Sequence, residues 1–293
     1  MAYQKVAISG ATGNLGPTIV KALVDANFEV TVLSQSGKTS GLPSTVKVTK
    51  VDYSSHDSIV EALKGNDAYV SAVPQHDGQP ALIDAAIAAG VKRFIPSEFG
   101  SNISGNSKVA ELPVFKGKKL TQDYLHQKSS HISWTVINTG LFLDWGIQVG
   151  VWANFKGPTR VYDSGNDRHS TTTLADIGKA VVGVLKHPEE THNRAVYVQS
   201  AALSQNELIE IIRKVKPNTT VEAQDASTKQ LLEDSYKQLE QGGEQLGAAM
   251  FGFIVVSIFD SEYGNLWSDK NDNELLGIKT KSSKEIEELV ASL

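Results

Sequence analysis

Val6-Ala-Ile-Ser-Gly10-Ala-Thr-Gly13-Asn-Leu-Gly16 decides how the chain is read. Residues 5–9 form a short apolar run rich in β-branched side chains, and Leu15, Ile19 and Leu23 then recur every fourth residue, the spacing of one helical face. The stretch predicts strand, tight turn and helix, with the three glycines where the period changes. Glycines there permit a sharp turn, let the backbone approach a pyrophosphate and let the helix pack closely on the strand. The helix N-terminus then offers unbonded N–H groups and a partial positive charge to phosphates. A glycine cluster alone marks a turn and nothing more. The strand before it and the helix after it make this a dinucleotide site, with Gly10, Thr12, Gly13, Asn14, Leu15 and Gly16 as the cofactor-binding turn.

The 293 residues suffice for one large α/β domain or one domain with a smaller appendage. With no cysteine, disulfides, thiolate nucleophiles and zinc–sulfur sites are excluded, and a reducing compartment fits. The formal charge is −5 and the basic residues are scattered, so no nucleic-acid partner is expected. The first strand begins too close to Met1 for a signal or transit peptide, and the longest apolar run, 248–259, is too short to span a bilayer. The expectation is a cytoplasmic protein, monomer or homodimer, without a membrane partner.

Outward from the glycine turn, strands are expected at 29–34 and 46–51, separated by a loop at 35–43. Helix 55–63, strand 67–73, helix 79–89 and strand 92–96 follow, then helix 112–128, strand 133–138, helix 176–186 and strand 194–199. Such alternation predicts the Rossmann arrangement, a doubly wound parallel sheet covered by helices on both faces, with the ligand across the carboxyl ends of the strands. After that the alternation fades and 201–293 reads as mostly helical, with Ser282-Ser-Lys-Glu285 as a capping box. The expected organisation is a dinucleotide-binding domain at 1–155 and a smaller, mostly helical substrate-capping region at 156–293, with helix 176–186 and strand 194–199 returning to the main sheet.

An NAD site places a carboxylate at the end of the second strand, about 20 residues past the glycines, to accept from the ribose 2′-hydroxyl. That end reads Leu33-Ser34-Gln35-Ser36-Gly37-Lys38 and has no acid. Ser34, Gln35 and Lys38 could instead donate to a 2′-phosphate, which points to NADP(H); the competing reading is a solvated polar loop. Asp52 has two readings as well, the adenine edge or a turn residue closing a strand.

These residues resemble the NmrA-like and isoflavone-reductase-like proteins, atypical short-chain dehydrogenases/reductases. The similarity rests on Gly10 to Gly16, on Val91-Lys-Arg-Phe-Ile-Pro-Ser-Glu-Phe-Gly100, on Trp134-Thr-Val-Ile-Asn-Thr-Gly-Leu-Phe142 and on Thr172-Thr-Leu-Ala-Asp-Ile-Gly178. The resemblance implies NADP(H) binding, with Ala72, Val73, Pro74 and Gln75 and the Ser97-Glu98-Phe99 segment bordering the nicotinamide. In the plant reductases and most fungal relatives an Arg stands where this chain has Gln35.

Typical short-chain dehydrogenases use a Tyr and a Lys four residues later. Tyr124-Leu-His-Gln-Lys128 has that spacing, but Tyr124 lies only eleven residues before Thr135, near the far end of its helix and away from the strand ends. The isoflavone-reductase resemblance implies a single lysine instead, in the pattern Phe, two residues, Lys, which Phe115-Lys-Gly-Lys118 matches. Desolvation would shift such a lysine toward neutrality and suit it to proton transfer. Lys116 is the alternative, and the cluster with Lys119 also reads as a solvated helix start. Phe142, Trp145, Trp152 and Phe155 are the candidate substrate-facing aromatics, with Met250, Phe251 and Phe253 further on. The histidines have no metal-ligand spacing, so no metal is expected. Two functions follow: an NADPH-dependent reductase of a small aromatic, enone or quinone-like molecule, with Lys118 moving the proton, or a non-catalytic NADP(H) sensor of the NmrA type. A degenerate fold with neither role is the third.

Overall fold

In the computed structural model, which describes residues 3–73, 79–154 and 157–293, the glycine turn joins β1 (Lys5–Ser9) to α1 (Gly16–Asp25). The alternation continues through β2 (Glu29–Ser34), β3 (Lys47–Lys50), α2 (His56–Leu63), β4 (Ala68–Ser71), α3 (Pro80–Ala88) and β5 (Arg93–Ile95). Next come α4 (Ser107–Glu111), α5 (Lys116–Gln127), β6 (Ser133–Asn138), β7 (Leu141–Phe142), α6 (Leu143–Gln148), β8 (Thr159–Tyr162) and β9 (His169–Thr172). The chain ends with α7 (Leu174–Lys186), β10 (Arg194–Tyr197), β11 (Ala201–Leu203), α8 (Gln205–Val215), β12 (Ala223–Ala226), α9 (Thr228–Gln241), α10 (Leu246–Phe259) and α11 (Ser283–Ser292).

Seven strands form one sheet in the order β10-β6-β5-β4-β1-β2-β3, every pairing parallel. Val6, Ala7 and Ile8 are wholly buried because both faces are covered. One face carries Ile19 and Leu23 of α1 with Ile177 and Val181 of α7; the other carries Ile59 and Leu63 of α2, Ile83 of α3 and Leu125 of α5. The Thr172 to Gly178 motif has a physical content here. Thr173 caps α7 by accepting from the Asp176 N–H at 3.2 Å. A Cβ on Gly178 would lie 2.9 Å from the Thr18 carbonyl oxygen, so glycine lets α1 and α7 close on each other.

The chain leaves the large sheet at Gly140 (φ +62°), where any side chain would strike the Ser170 carbonyl. Outside it lie a three-stranded sheet, β11-β9-β7, and the pair β12-β8. Among the described residues the part beyond residue 140 therefore holds five short strands outside the large sheet, besides β10 within it and the expected helices, and 201–293 includes β11 and β12, too short for a period-2 pattern to show. Its core packs Trp152, Leu208, Ile212, Phe259 and Val290. Ser282 and Glu285 form the expected capping box of α11. Helix α10 is apolar all round because it lies between that core and a second cluster containing Val109, Leu112, Phe115 and Phe253. Among the described residues no helix is long and apolar enough to cross a membrane.

The expected helix 112–128 begins later. Pro113 excludes the helical region for the residue before it, and Leu112 is extended (φ −62°, ψ +134°). A short α4 capped by Asn106, then a 3₁₀ turn at Pro113–Phe115, precede α5. Lys118 consequently lies in the first turn of α5, with Phe115 (5% exposed) anchoring the entry against α10.

Candidate active site

The glycine turn carries three glycines in two different situations. A Cβ on Gly10 (φ +78°) would lie 2.4 Å from the Ala72 carbonyl oxygen, and one on Gly16 would lie 2.1 Å from the Gly10 carbonyl oxygen. Backbone fills both positions. A Cβ on Gly13 would meet only the Gly10 carbonyl oxygen, at 3.4 Å, and Thr12, Gly13 and Asn14 face outward between the buried Ala11 and Leu15. Helix α1 has no side-chain cap and no acid in its first turn, a state it shares with α3, α5 and α10, but only α1 follows the glycine turn. An exposed glycine backed by an uncapped helix N-terminus is a cradle for an anion, so these residues fit a pyrophosphate.

At the end of β2, the Ser34 hydroxyl accepts from the Gly37 N–H at 3.1 Å and shapes the loop. Gln35 and Lys38 are exposed. The register pairs Ser34 with Lys50, the last residue of β3, and the Lys50 stem lies 3.6–3.9 Å from where a Cβ on Gly37 would be. Among the described residues neither Lys38 nor Lys50 has a side-chain partner. Lys50 is a candidate that the sequence reading passed over; only the parallel pairing of β2 with β3 brings it beside Ser34. Asp52 bonds to the Ser54 hydroxyl (2.7 Å) and N–H (2.9 Å), which hold its carboxyl below the usual range. Its geometry is that of a turn residue.

The Ser97-Glu98-Phe99 segment is fastened on three sides. The Ser97 N–H reaches the Gln79 side chain at 3.4 Å, and the Gln79 N–H donates to Thr121 of α5 at 3.0 Å. Phe99 belongs to the hydrophobic cluster that contains Ala11 and Leu15 of the glycine turn, and the Gly100 carbonyl accepts from Thr139 and Gly140 beyond β6. Glu98 is 1% exposed; its Oε2 accepts from Gln122 at 2.8 Å. Ala72 and Val73 border the glycine turn and are half-buried. Pro74, Gln75 and Phe155 lie outside the described residues.

The three clustered lysines separate. Lys116 is exposed, and Lys119 is paired with Asp123 on the outer face of α5. Lys118 is half-buried, without a hydrogen bond or ion pair among the described residues, its Nζ 3.8 Å from where a Cβ on Gly100 would be. Desolvation pushes its ammonium below the ordinary lysine range, against the pull of Glu98, and the positive end of α5 acts in the same direction. Tyr124 and Lys128 are placed otherwise. The Tyr124 hydroxyl donates to both Asp84 oxygens (2.7 and 2.8 Å) and Lys128 pairs with the same carboxylate at 3.2 Å, tying the far end of α5 to α3.

Of the aromatics, Phe142 and Trp145 are half-buried and meet edge to face at 6.2 Å. Phe142 packs against the cluster shared by Phe99 and the glycine turn. Trp152 is 0% exposed and enclosed by Phe259 and His169, so it belongs to the core and not to a pocket lining. Phe253 is likewise core, while Phe251 is exposed. A cavity of about 760 Å³ lies between Thr18, Ala22, Val182, Gly183 and Leu276 on the outer side of α1 and α7. No residue of the glycine turn lines it.

A model of the NmrA-like family matches residues 2–289. The chain is 38% identical to the oxidoreductase aprR of Aspergillus flavus over 218 residues, covering 72% of this chain and 73% of that one. It is 32% identical to the oxidoreductase poxI of Penicillium oxalicum over 300 residues, covering 96% and 92%. The solved structure described as AtPrR2 with NADP+ and (+)pinoresinol superposes with a TM-score of 0.79 at 23% identity, covering 100% of this chain and 99% of that one. That structure has the same fold.

Proposed function

The chain belongs to the NmrA-like family, and on that premise we propose that it is an NADPH-dependent reductase of a small aromatic, enone or quinone-like molecule, with Lys118 moving the proton. Two relatives that it matches over most of its length are named oxidoreductases, and a structural neighbour holds NADP+. The observation that carries the reading is Lys118: a desolvated lysine without a salt-bridge partner, beside a segment packed on the glycine turn.

Bound NADPH supplies the hydride. The chain's own groups do the rest. Gly13 and the first turn of α1 receive the pyrophosphate, and Lys38 and Lys50 flank the place for a 2′-phosphate, standing in for the arginine absent at Gln35. The Phe142–Trp145 pair offers apolar surface to a planar substrate and excludes water. Lys118 donates a proton to substrate oxygen or carbon, and the neutral amine left behind suits a site that desolvates the cation.

The experiment is NADPH oxidation measured against a panel of quinones, enones and phenolic ketones, with Lys118→Ala alongside. Turnover that collapses in Lys118→Ala supports the reading. Tight NADPH binding with no turnover across the panel replaces it with the sensor.

A further inference from the structure

Glu98 stands out because its two carboxyl oxygens are treated differently. Oε2 accepts from Gln122 at 2.8 Å, and the Gln122 carbonyl in turn accepts from the Ser104 hydroxyl at 3.0 Å. Those two partners fix the amide with its NH₂ toward Glu98. Oε1 is buried and has no hydrogen-bond partner among the described residues. A buried acceptor without a donor is costly, so a structural carboxyl at this position would be expected to use both oxygens. Gln122 is one helical turn beyond Lys118, which puts both on the face of α5 turned to Glu98. The Lys118 Nζ lies 3.8 Å from the would-be Cβ of Gly100, itself 3.9 Å from the backbone carbonyl oxygen of Glu98.

We propose that Glu98 is the positioning residue for Lys118: a buried carboxyl, pinned at one oxygen by Gln122 and open at the other, whose charge keeps the proton on the lysine. The inference rests on Lys118 being the proton carrier. The two groups act on each other: the charge on Glu98 opposes the fall that desolvation imposes on Lys118. Burial pushes Glu98 up to about 7, and the charge on Lys118 opposes that rise. An ionised Glu98 therefore favours the ammonium, and a neutral one releases it. Leu112, Phe115 and Phe253, on the segment before α5 and on α10, contribute no charge.

Glu98→Gln keeps an acceptor for Gln122 and removes the charge. Direct titration of Lys118 by NMR, with lysine amines labelled and the signal assigned by its loss in Lys118→Met, reads the inference without substrate. The Lys118 midpoint falls by ~1 pH or more in Glu98→Gln, as loss of an adjacent opposite charge requires; Glu98→Asp, which retains the charge, restores most of it. Turnover that needs protonated Lys118 then begins to fall at lower pH in Glu98→Gln. An unmoved Lys118 midpoint overturns the inference even if Glu98→Gln is less active. Should Glu98→Gln not fold, Lys118→Met gives the reciprocal test by carboxyl NMR: Glu98 titrates above its wild-type midpoint, and an unchanged midpoint overturns the pairing. Absence of turnover in the wild type, with the Lys118 midpoint still shifted in Glu98→Gln, would count against the reductase and not against the pair.

Discussion

The two ends of the seven-stranded sheet use their polar groups in opposite ways. At the amino ends the buried polar groups are bonded to one another. Asp67 accepts from the Gln4 and Lys5 N–H groups (2.9 and 3.0 Å) and pairs with Lys92; the wholly buried Arg93 is held by Thr135, Thr191 and the Pro188 carbonyl; and Asn193 caps the Trp134 N–H. At the carboxyl ends bonding capacity is left open. Of the five buried side-chain atoms without a partner among the described residues, four lie there: Thr49 Oγ1, Ser71 Oγ, Glu98 Oε1 and Asn138 Oδ1. Native proteins leave few such groups. Their collection on one edge, with the uncapped α1 and the unpaired Lys118, marks the edge where a ligand completes the bonding, which is where a doubly wound sheet binds one.

The largest expected effect comes from filling the open cradle. Gly13→Val should abolish NADPH binding in calorimetry and leave the thermal melt close to wild type, because a Cβ at that position meets no atom nearer than 3.4 Å and Gly13 is exposed. Gly16→Val should lose the fold, since its Cβ position is 2.1 Å from a carbonyl oxygen. A folded Gly13→Val that binds NADPH normally would remove the contrast between filled and open glycines.

Lys118→Ala is next. Loss of a general acid–base lowers turnover by ~10²- to 10⁴-fold with little change in NADPH affinity. The measurement is steady-state kcat beside cofactor titration, and a full-rate variant would return Lys118 to the status of Lys116.

Much of this edge was legible in the chain because its signals are local. Glycine spacing and helical period fix Gly10 to Gly16, while the interest of Glu98 came only from the resemblance that Pro-Ser-Glu-Phe-Gly carries. What escaped depends on pairing between distant segments. Lys50 is an exposed lysine ending a short strand until the β2–β3 register places it beside Ser34. The small strands beyond Gly140 are two to four residues long, too few for periodicity. Trp152 looked like pocket lining because its neighbours do, yet the fold of 201–293 encloses it through Phe259. The late start of α5 was written in Pro113, a local signal that the helical period on either side obscured.

Lys50→Ala sharpens the comparison at lower amplitude. A charge-assisted contact half in water is worth about 1 kcal/mol, so NADPH affinity should fall roughly fivefold while NADH affinity holds. The NADPH loss should shrink at high salt, because screening already weakens the wild-type contact. Equal losses for the two cofactors would take Lys50 out of the 2′-phosphate site.

The smallest effect is expected from the pair that looks most like catalysis in the sequence. Tyr124 and Lys128 have the spacing of a dehydrogenase couple, but both are bonded to Asp84 at the carboxyl-terminal end of α5, which leads into the amino end of β6. Tyr124→Phe removes one hydroxyl from a half-exposed carboxylate, worth about 1 kcal/mol of stability, and Lys128→Ala removes a half-exposed ion pair worth less. Chemical denaturation should show the first as a small fall in midpoint with an unchanged slope, and kcat should stay within a factor of two in both. The sign of the result matters more than its size. A loss of turnover in Tyr124→Phe without a loss of stability would mean that Tyr124 reaches the reacting atoms, and that the bonded end of the sheet, not the open one, carries the chemistry.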